Sequence, residues 1–278
     1  MSAVTYIRQA FGYKVLVPAL LLAKRVYQPL DRETDAKTIM VNIGGGTFIK
    51  RHWKNLDYSS DHYPYKLSVL DLNFDLTSGE PFPFEDGTVT HFFSSHTLEH
   101  IPQKFCDHIF KEFHRCLKPS GAVRLTMPDF DQIYDGYMAG QTGFWGKNRA
   151  SSPEHALCGA VATDLRPRAE ELAPTFRDKS QSLTKQEFAD YVTDLVSLES
   201  QFANFSNHCN WWNHEKLHAS FLAAGFGDIY ESEALNSRFA EMRDAGSFLG
   251  IERFARMPGL RGFDFAHVDQ SLFIEAVK

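Results

Sequence analysis

Along the first half of the chain, short apolar runs that stop at glycine or a polar residue alternate with helical stripes. Thr38-Ile-Met-Val-Asn-Ile43 reads as a buried strand and runs straight into Gly44-Gly45-Gly46. Residues 53–56 form a second run that stops at Asp57, and residues 65–70 form a third that leads to Asp71 and on to Asp75-Leu76. A fourth run, 89–94, is followed by Ser95-His96. Ile101, Phe105, Ile109, Phe113 and Leu117 then recur every four residues, the apolar stripe of a helix over 102–117. Lys118-Pro119-Ser120-Gly121 stops that helix, and 122–127 is a fifth strand ending at Pro128-Asp129. Strands alternating with crossovers predict an α/β fold with a doubly wound, mostly parallel sheet.

Beyond residue 129 the rhythm breaks. Residues 130–207 are polar, carry few strand signals and contain helical patches such as 185–202, which predicts a helical insertion or cap over the sheet's carboxyl edge. Residues 211–224 read as a helix closed by Gly225-Phe226, and 269–278 as an antiparallel edge strand. The expected organisation is an N-terminal helical extension over 1–37, a core of 38–129 plus 208–278, and a cap of 130–207 that forms an acceptor pocket.

Composition narrows the function. In 278 residues, a formal net charge of -6 argues against a protein whose main task is to hold a nucleic-acid backbone. The 24 Phe, 10 Tyr and 4 Trp suit a deep core or a pocket for a flat ligand. Cys106, Cys116, Cys158 and Cys209 form no CxxC pair, so reduced thiols and a cytoplasmic location are expected. The longest apolar run, 15–23, is too short for a transmembrane segment, which needs about 20 residues. A helix packed on the domain is its expected use, and a peripheral membrane contact aided by Lys14, Lys24 and Arg25 is the alternative. Oligomeric state is left open.

In open α/β sheets, ligands sit beyond the carboxyl ends of the strands. The candidates are therefore Asn42 and Gly44, Gly45 and Gly46 after the first strand, Asp57 after the second, Asp75 after the third, Ser94 to His100 after the fourth and Asp129 after the fifth. Glycines let backbone approach a ligand closely. A carboxylate at the second strand's end can accept both hydroxyls of a ribose, and one after the third can accept from an adenine amino group.

The ordered series Val41-Asn-Ile-Gly-Gly-Gly46, Asn55-Leu-Asp57, Asp75-Leu76, Pro81-Phe-Pro-Phe-Glu-Asp-Gly87, Ser95-His-Thr-Leu-Glu-His-Ile-Pro102, Arg115-Cys-Leu-Lys-Pro-Ser-Gly121 and Met127-Pro-Asp129 resembles the class I S-adenosylmethionine-dependent methyltransferases, closest to the type 11 branch. The resemblance implies a Rossmann-like fold and S-adenosyl-L-methionine as cofactor. It would place Gly44 and Gly46 along the methionine and ribose, Asp57 on the ribose hydroxyls, Asp75 and the Leu76 backbone at adenine, and Ser94, Ser95 and His96 near the sulfonium. Asn42 stands where the family carries an acid, and Phe48 where it carries a further glycine. The activity implied is methyl transfer to an oxygen, or a nitrogen, of a small molecule, by analogy in natural-product or polysaccharide biosynthesis. A hydroxyl acceptor calls for a base; His96 is the first candidate and His100 the second, with Asp129 also at the strand tips. Tyr134, Tyr137, Phe144, Trp145 and Phe176 of the cap are expected to wall the acceptor pocket.

Two alternatives stay open. His96, Glu99 and His100 are spaced i, i+3, i+4, and the cluster resembles the E-x-x-E-H set of metal-dependent small-RNA and ubiquinone-pathway O-methyltransferases, with His96 in place of the first Glu and His208 where those relatives take a further His. A divalent metal on His96, Glu99, His100 and His208 is this less favoured reading; Leu98 to His100 pinning a loop, with His208 bracing it, is the favoured one. The other alternative is a methyltransferase-like binding or scaffold protein that no longer transfers methyl groups. His214 and His218 read as a solvated helix face, Trp211-Trp212 as core or pocket wall, and Arg166, Arg168 and Arg177 as surface charges or contacts for an anionic acceptor.

Overall fold

The computed structural model describes residues 5–10, 13–18, 38–45, 53–59, 71–143, 150–233, 236–243 and 270–278. Strands β1 (Thr5–Ala10) and β2 (Tyr13–Pro18) pair antiparallel as a two-stranded sheet, with Ile7 opposite Leu16. A hairpin thus stands where a helix is expected. Thr5, Ile7, Val15 and Val17 are β-branched, and Tyr6 and Tyr13 are aromatic, the side chains that favour pleated backbone. The rest of the 1–37 extension lies outside the described residues, as do Gly46, Phe48, the run 65–70, Phe144 and Trp145.

The main sheet has seven strands in the order β5-β4-β3-β6-β7-β9-β8. They are β3 (Ile39–Ile43), β4 (Lys54–Asp57), β5 (Leu72–Asn73), β6 (Val89–Ser95), β7 (Leu117–Pro128), β8 (Asp228–Glu231) and β9 (Ser271–Val277). β3 to β7 run parallel, and β9 is antiparallel to both β7 and β8. The Rossmann-like α/β fold therefore stands, with one correction: the antiparallel strand is not at the edge. Leu272, Phe273, Ile274, Glu275 and Ala276 are all buried, so β9 needs cover on both sides, and the short, half-exposed β8 supplies the outer edge.

Helix α1 (Gln103–Cys116) packs on the sheet through Cys106, Ile109, Phe110 and Phe113, each fully buried. Burying an aliphatic or Phe side chain of this kind contributes about 1.5–3 kcal/mol. His114 and Arg115 in the last turn complement the helix dipole. The Arg115 guanidinium also donates to both Glu112 oxygens, to Asp86 and to the carbonyls of Phe82 and Phe84, so one side chain fastens the whole 82–86 loop to the helix.

The segment 130–207 is helical, as expected: α2 (Phe130–Met138), α3 (Pro153–Val161), α4 (Ala169–Ser182), α5 (Lys185–Asp194) and α6 (Leu198–Ala203). It has its own core, built on Phe130, Ile133, Leu157, Phe176, Phe188 and Val192. Trp211 packs into that core and Trp212 into the sheet core, so two successive tryptophans join the layers. Helix α7 (His214–Ala223) follows, stopped at Gly225 with φ +101°, and Phe226 turns back onto Phe221.

Candidate functional site at the strand tips

The carboxyl ends of β3, β4, β6 and β7 bring most of the expected residues to one edge. Gly44 leaves β3 with φ +64°, and a Cβ there would lie 2.2 Å from Thr97 Oγ1. Asn42 is buried one residue before the end of β3. Its amide donates to Asn55 Oδ1 at 3.0 Å, and Asn55 in turn donates to Asp71 from its backbone and side chain. The neutral Asn42 thus belongs to a buried network between β3 and β4, which explains an amide where an acid would bring an uncompensated charge. Asp57 closes β4 half-buried, its Oδ1 accepting the Tyr58 N–H at 2.7 Å. Asp75 Oδ1 accepts from the backbone and hydroxyl of Thr77, so one of its oxygens is held in a local turn. Leu76 is buried. Ser94 is buried and donates to the Ile43 carbonyl, whereas Ser95 is half-buried at the end of β6.

The segment after β6 carries the densest chemistry. His96 adopts φ +51°, left-handed backbone that costs a non-glycine residue about 1–2 kcal/mol. Its ring is held on both sides: Nδ1 lies 3.0 Å from Glu99 Oε1, and Nε2 lies 2.9 Å from Ser271 Oγ at the start of β9. A carboxylate on one imidazole nitrogen and a hydroxyl on the other is the arrangement in which an imidazole receives a hydroxyl proton while the acid steadies the resulting charge. Burial acts to raise the Glu99 carboxyl, but His96, through charge and its close contact, and His100 and His208, through charge, outweigh it and hold it at about 2.

Glu99 and His100 sit on a single 3-10 turn, Leu98–His100, and His208 meets them from the end of the cap. One ligand atom from each of Glu99, His100 and His208 falls within 4.8 Å of the others. His96 contacts Glu99 but is not in that set, because its left-handed backbone turns the ring towards Ser271 and away from the helical spacing expected of it. Burial pushes His208 down to about 4, helped by His100.

The remaining candidates are engaged in other contacts, Asp129 at the tip of β7 among them. Asp129 caps α2, its two oxygens accepting from Asp131 N and Gln132 Nε2. Tyr137 and Phe176 are buried in the cap's own core, and Tyr134 packs on it, instead of lining an acceptor pocket. Arg168 pairs with Glu171, Arg177 with Glu154, and Arg166 donates to His155. His214 and His218 line a separate cavity of about 680 Å³ with Asp131, Lys185, Tyr230 and Glu231. The sequence pattern does not single out Ser271 or Phe205. Phe205, at the end of the cap, meets Tyr58 edge-on at 5.3 Å, one residue beyond Asp57.

Residues 52–125 match the family model described as a methyltransferase domain. The match runs from β4 through Asp57, the His96 loop and α1 into β7. Solved structures that align with this chain include an S-adenosylmethionine-dependent methyltransferase from Mesorhizobium loti (TM-score 0.41, 12% identity, covering 86% of this chain and 90% of that one). Another is from Thermotoga maritima (TM-score 0.39, 12% identity, 94% and 89% covered). A third is phosphoethanolamine N-methyltransferase 2 of Haemonchus contortus (TM-score 0.38, 16% identity), whose length the chain spans by about half, 52%, with 94% of this chain covered. Likenesses at this level assign no substrate. No curated protein matches the sequence. Among the described residues, no helix is long and apolar enough to cross a membrane.

Proposed function

We propose that this protein moves a methyl group from S-adenosylmethionine to an oxygen, or a nitrogen, of a small molecule held between the strand tips and the cap. The observation that carries the reading is the imidazole of His96 set between Glu99 and Ser271 at the same sheet edge as Gly44 and Asp57. The donor set suits the nucleoside: Asp57 offers a carboxylate to ribose hydroxyls, and Gly44 and Gly45 offer backbone that a ligand can approach. When bound, the sulfonium supplies an already activated methyl group, so positioning and exclusion of water carry much of the rate.

The chain's own residues then have three tasks. Asp57 and the Gly44 turn fix the nucleoside. The cap, brought to Tyr58 by Phe205, limits water. His96 Nε2 accepts the acceptor's proton as the new bond to carbon forms, in the place where it now meets Ser271 Oγ, and Glu99 keeps Nδ1–H oriented. The test is calorimetry with S-adenosylhomocysteine and S-adenosylmethionine on wild type and Asp57→Ala. Binding that the variant loses is expected; no heat from either ligand overturns the reading in favour of a non-catalytic binding protein.

A further inference from the structure

We infer that Glu99, His100 and His208 form a binding site for one divalent transition-metal ion, zinc being the probe of choice. Three observations converge on it. The ligand atoms of these side chains already lie within 4.8 Å of one another, although they come from two segments more than a hundred residues apart. Glu99 is 1% exposed, and neither of its oxygens has a hydrogen-bond partner among the described residues, Oε1 meeting His96 Nδ1 as an ion-pair contact at 3.0 Å. A buried carboxylate oxygen left this way is costly unless a cation or donor meets it.

The imidazoles supply the third observation. His100 Nδ1 lies 3.0 Å from the Asn207 carbonyl, and His208 Nδ1 lies 2.6 Å from the Ala160 carbonyl. A carbonyl can only accept, so each neutral ring must carry its proton on Nδ1 and its lone pair on Nε2. Backbone carbonyls orienting the distal nitrogen of a ligating histidine are the usual outer shell of a metal site. Gln201 reinforces it by donating to the carbonyls of both His100 and Asn207. The rings meet edge-on with centroids 4.6 Å apart.

Two imidazoles and one carboxylate suit zinc, iron(II) or manganese, and leave coordination positions for water or an oxygen of a ligand. Glu99 would then serve two neighbours, Oε1 towards His96 and Oε2 towards the ion. The ion would also tie the cap to the loop after β6, because His208 directly follows the cap and bonds to Ala160 on α3.

The inference stands apart from the methyl-transfer reading, since cation binding is measured without donor or acceptor. Tag-free protein, stripped with chelator, is titrated with zinc in competition with a chromophoric chelator. One equivalent is expected to bind. Glu99→Gln, His100→Ala and His208→Ala should each weaken binding by more than about 100-fold, beyond the 10–100-fold that loss of an outer-shell partner costs. His218→Ala, exposed on α7, should not change it. Folding of each variant is checked by circular dichroism. X-ray absorption of zinc-loaded wild type supplies a readout that needs no variant: a shell of nitrogen and oxygen with imidazole scattering is expected. A sulfur-containing shell, no stoichiometric binding by folded wild type, or binding indifferent to all three substitutions overturns the site.

Discussion

Gly44 and Thr97 occupy adjoining space at the tips of β3 and β6, so close that a Cβ on Gly44 would overlap the Thr97 side chain at 2.2–2.8 Å. The contact couples the glycine turn to the His96 loop. Gly44→Ala should therefore destabilise the fold by about 2–4 kcal/mol, from left-handed backbone strain and overpacking together. Urea denaturation measures this. Adding Thr97→Gly should recover the overpacking part and leave the backbone part. Equal losses in the single and double variants would show that the contact is not what requires glycine.

The Glu112–Arg115 pair makes a pH prediction. Burial tends to raise the Glu112 carboxyl, but the Arg115 hydrogen bonds and the Phe82 N–H outweigh it and hold the group below its ordinary value. A depressed carboxylate stabilises the fold above its unfolded pKa of about 4.3 and stops doing so as pH falls through the lower folded value. Glu112→Gln should cost about 1.5–3 kcal/mol at pH 7, the range for hydrogen bonds to charged groups. The gap between wild type and variant should shrink below about pH 4. Stability curves by urea at several pH values decide it; a gap independent of pH would assign Glu112 a packing role.

Much of this architecture is legible in local pattern, because a buried parallel strand must be apolar and must end where the backbone turns to solvent. Val41, Ile43, Phe92, Val123 and Leu125 announce their strands in this way, and Gly44, Asp57 and His96 mark their ends. The hairpin at 5–18 is less legible, since a short apolar run such as 15–17 fits either period. The inner position of β9 was hidden because its cover, β8, is a four-residue strand of mixed polarity. In the site, Glu99 and His100 are visible as neighbours in sequence, and His208 through the aromatic segment that follows it. Ser271 is not visible: it meets His96 across 175 residues, and no local pattern encodes such a meeting. The cap aromatics Tyr137 and Phe176 misled because a segment this long needs a core of its own before it can line anything.

Lys216 makes a prediction of the same sign as Glu112, in an alkaline window. Its ammonium lies over the rings of Trp211 and Trp212 and donates to Asn210 Oδ1 and the Trp211 carbonyl, and burial pushes it down to about 8. Between pH 8 and its ordinary value of about 10.4, the unfolded chain holds more protons than the folded one, so stability contributed by this group rises with pH through that window. Lys216→Met should abolish the rise. Thermal or urea denaturation between pH 7 and 10.5 checks it, and an unchanged slope in the variant would place the titration elsewhere.

Phe205 of the cap meets Tyr58 at the tip of β4. Phe205 is half-buried and contacts Tyr58, the residue after Asp57, so its removal takes little from either core. An aromatic pair of this kind is worth about 0.5–1.5 kcal/mol beyond its area. If the pair holds the cap over the bound nucleoside, Phe205→Ala should weaken S-adenosylhomocysteine binding by about 2- to 10-fold, that energy at about 1.4 kcal/mol per decade. Its Tm should change little, and Phe205→Tyr should retain most of the affinity. Calorimetry beside a thermal melt separates the effects: weaker binding with an unchanged melt supports a cap that helps close the site. A lowered melt with unchanged affinity would make the contact a fastening of the cap alone.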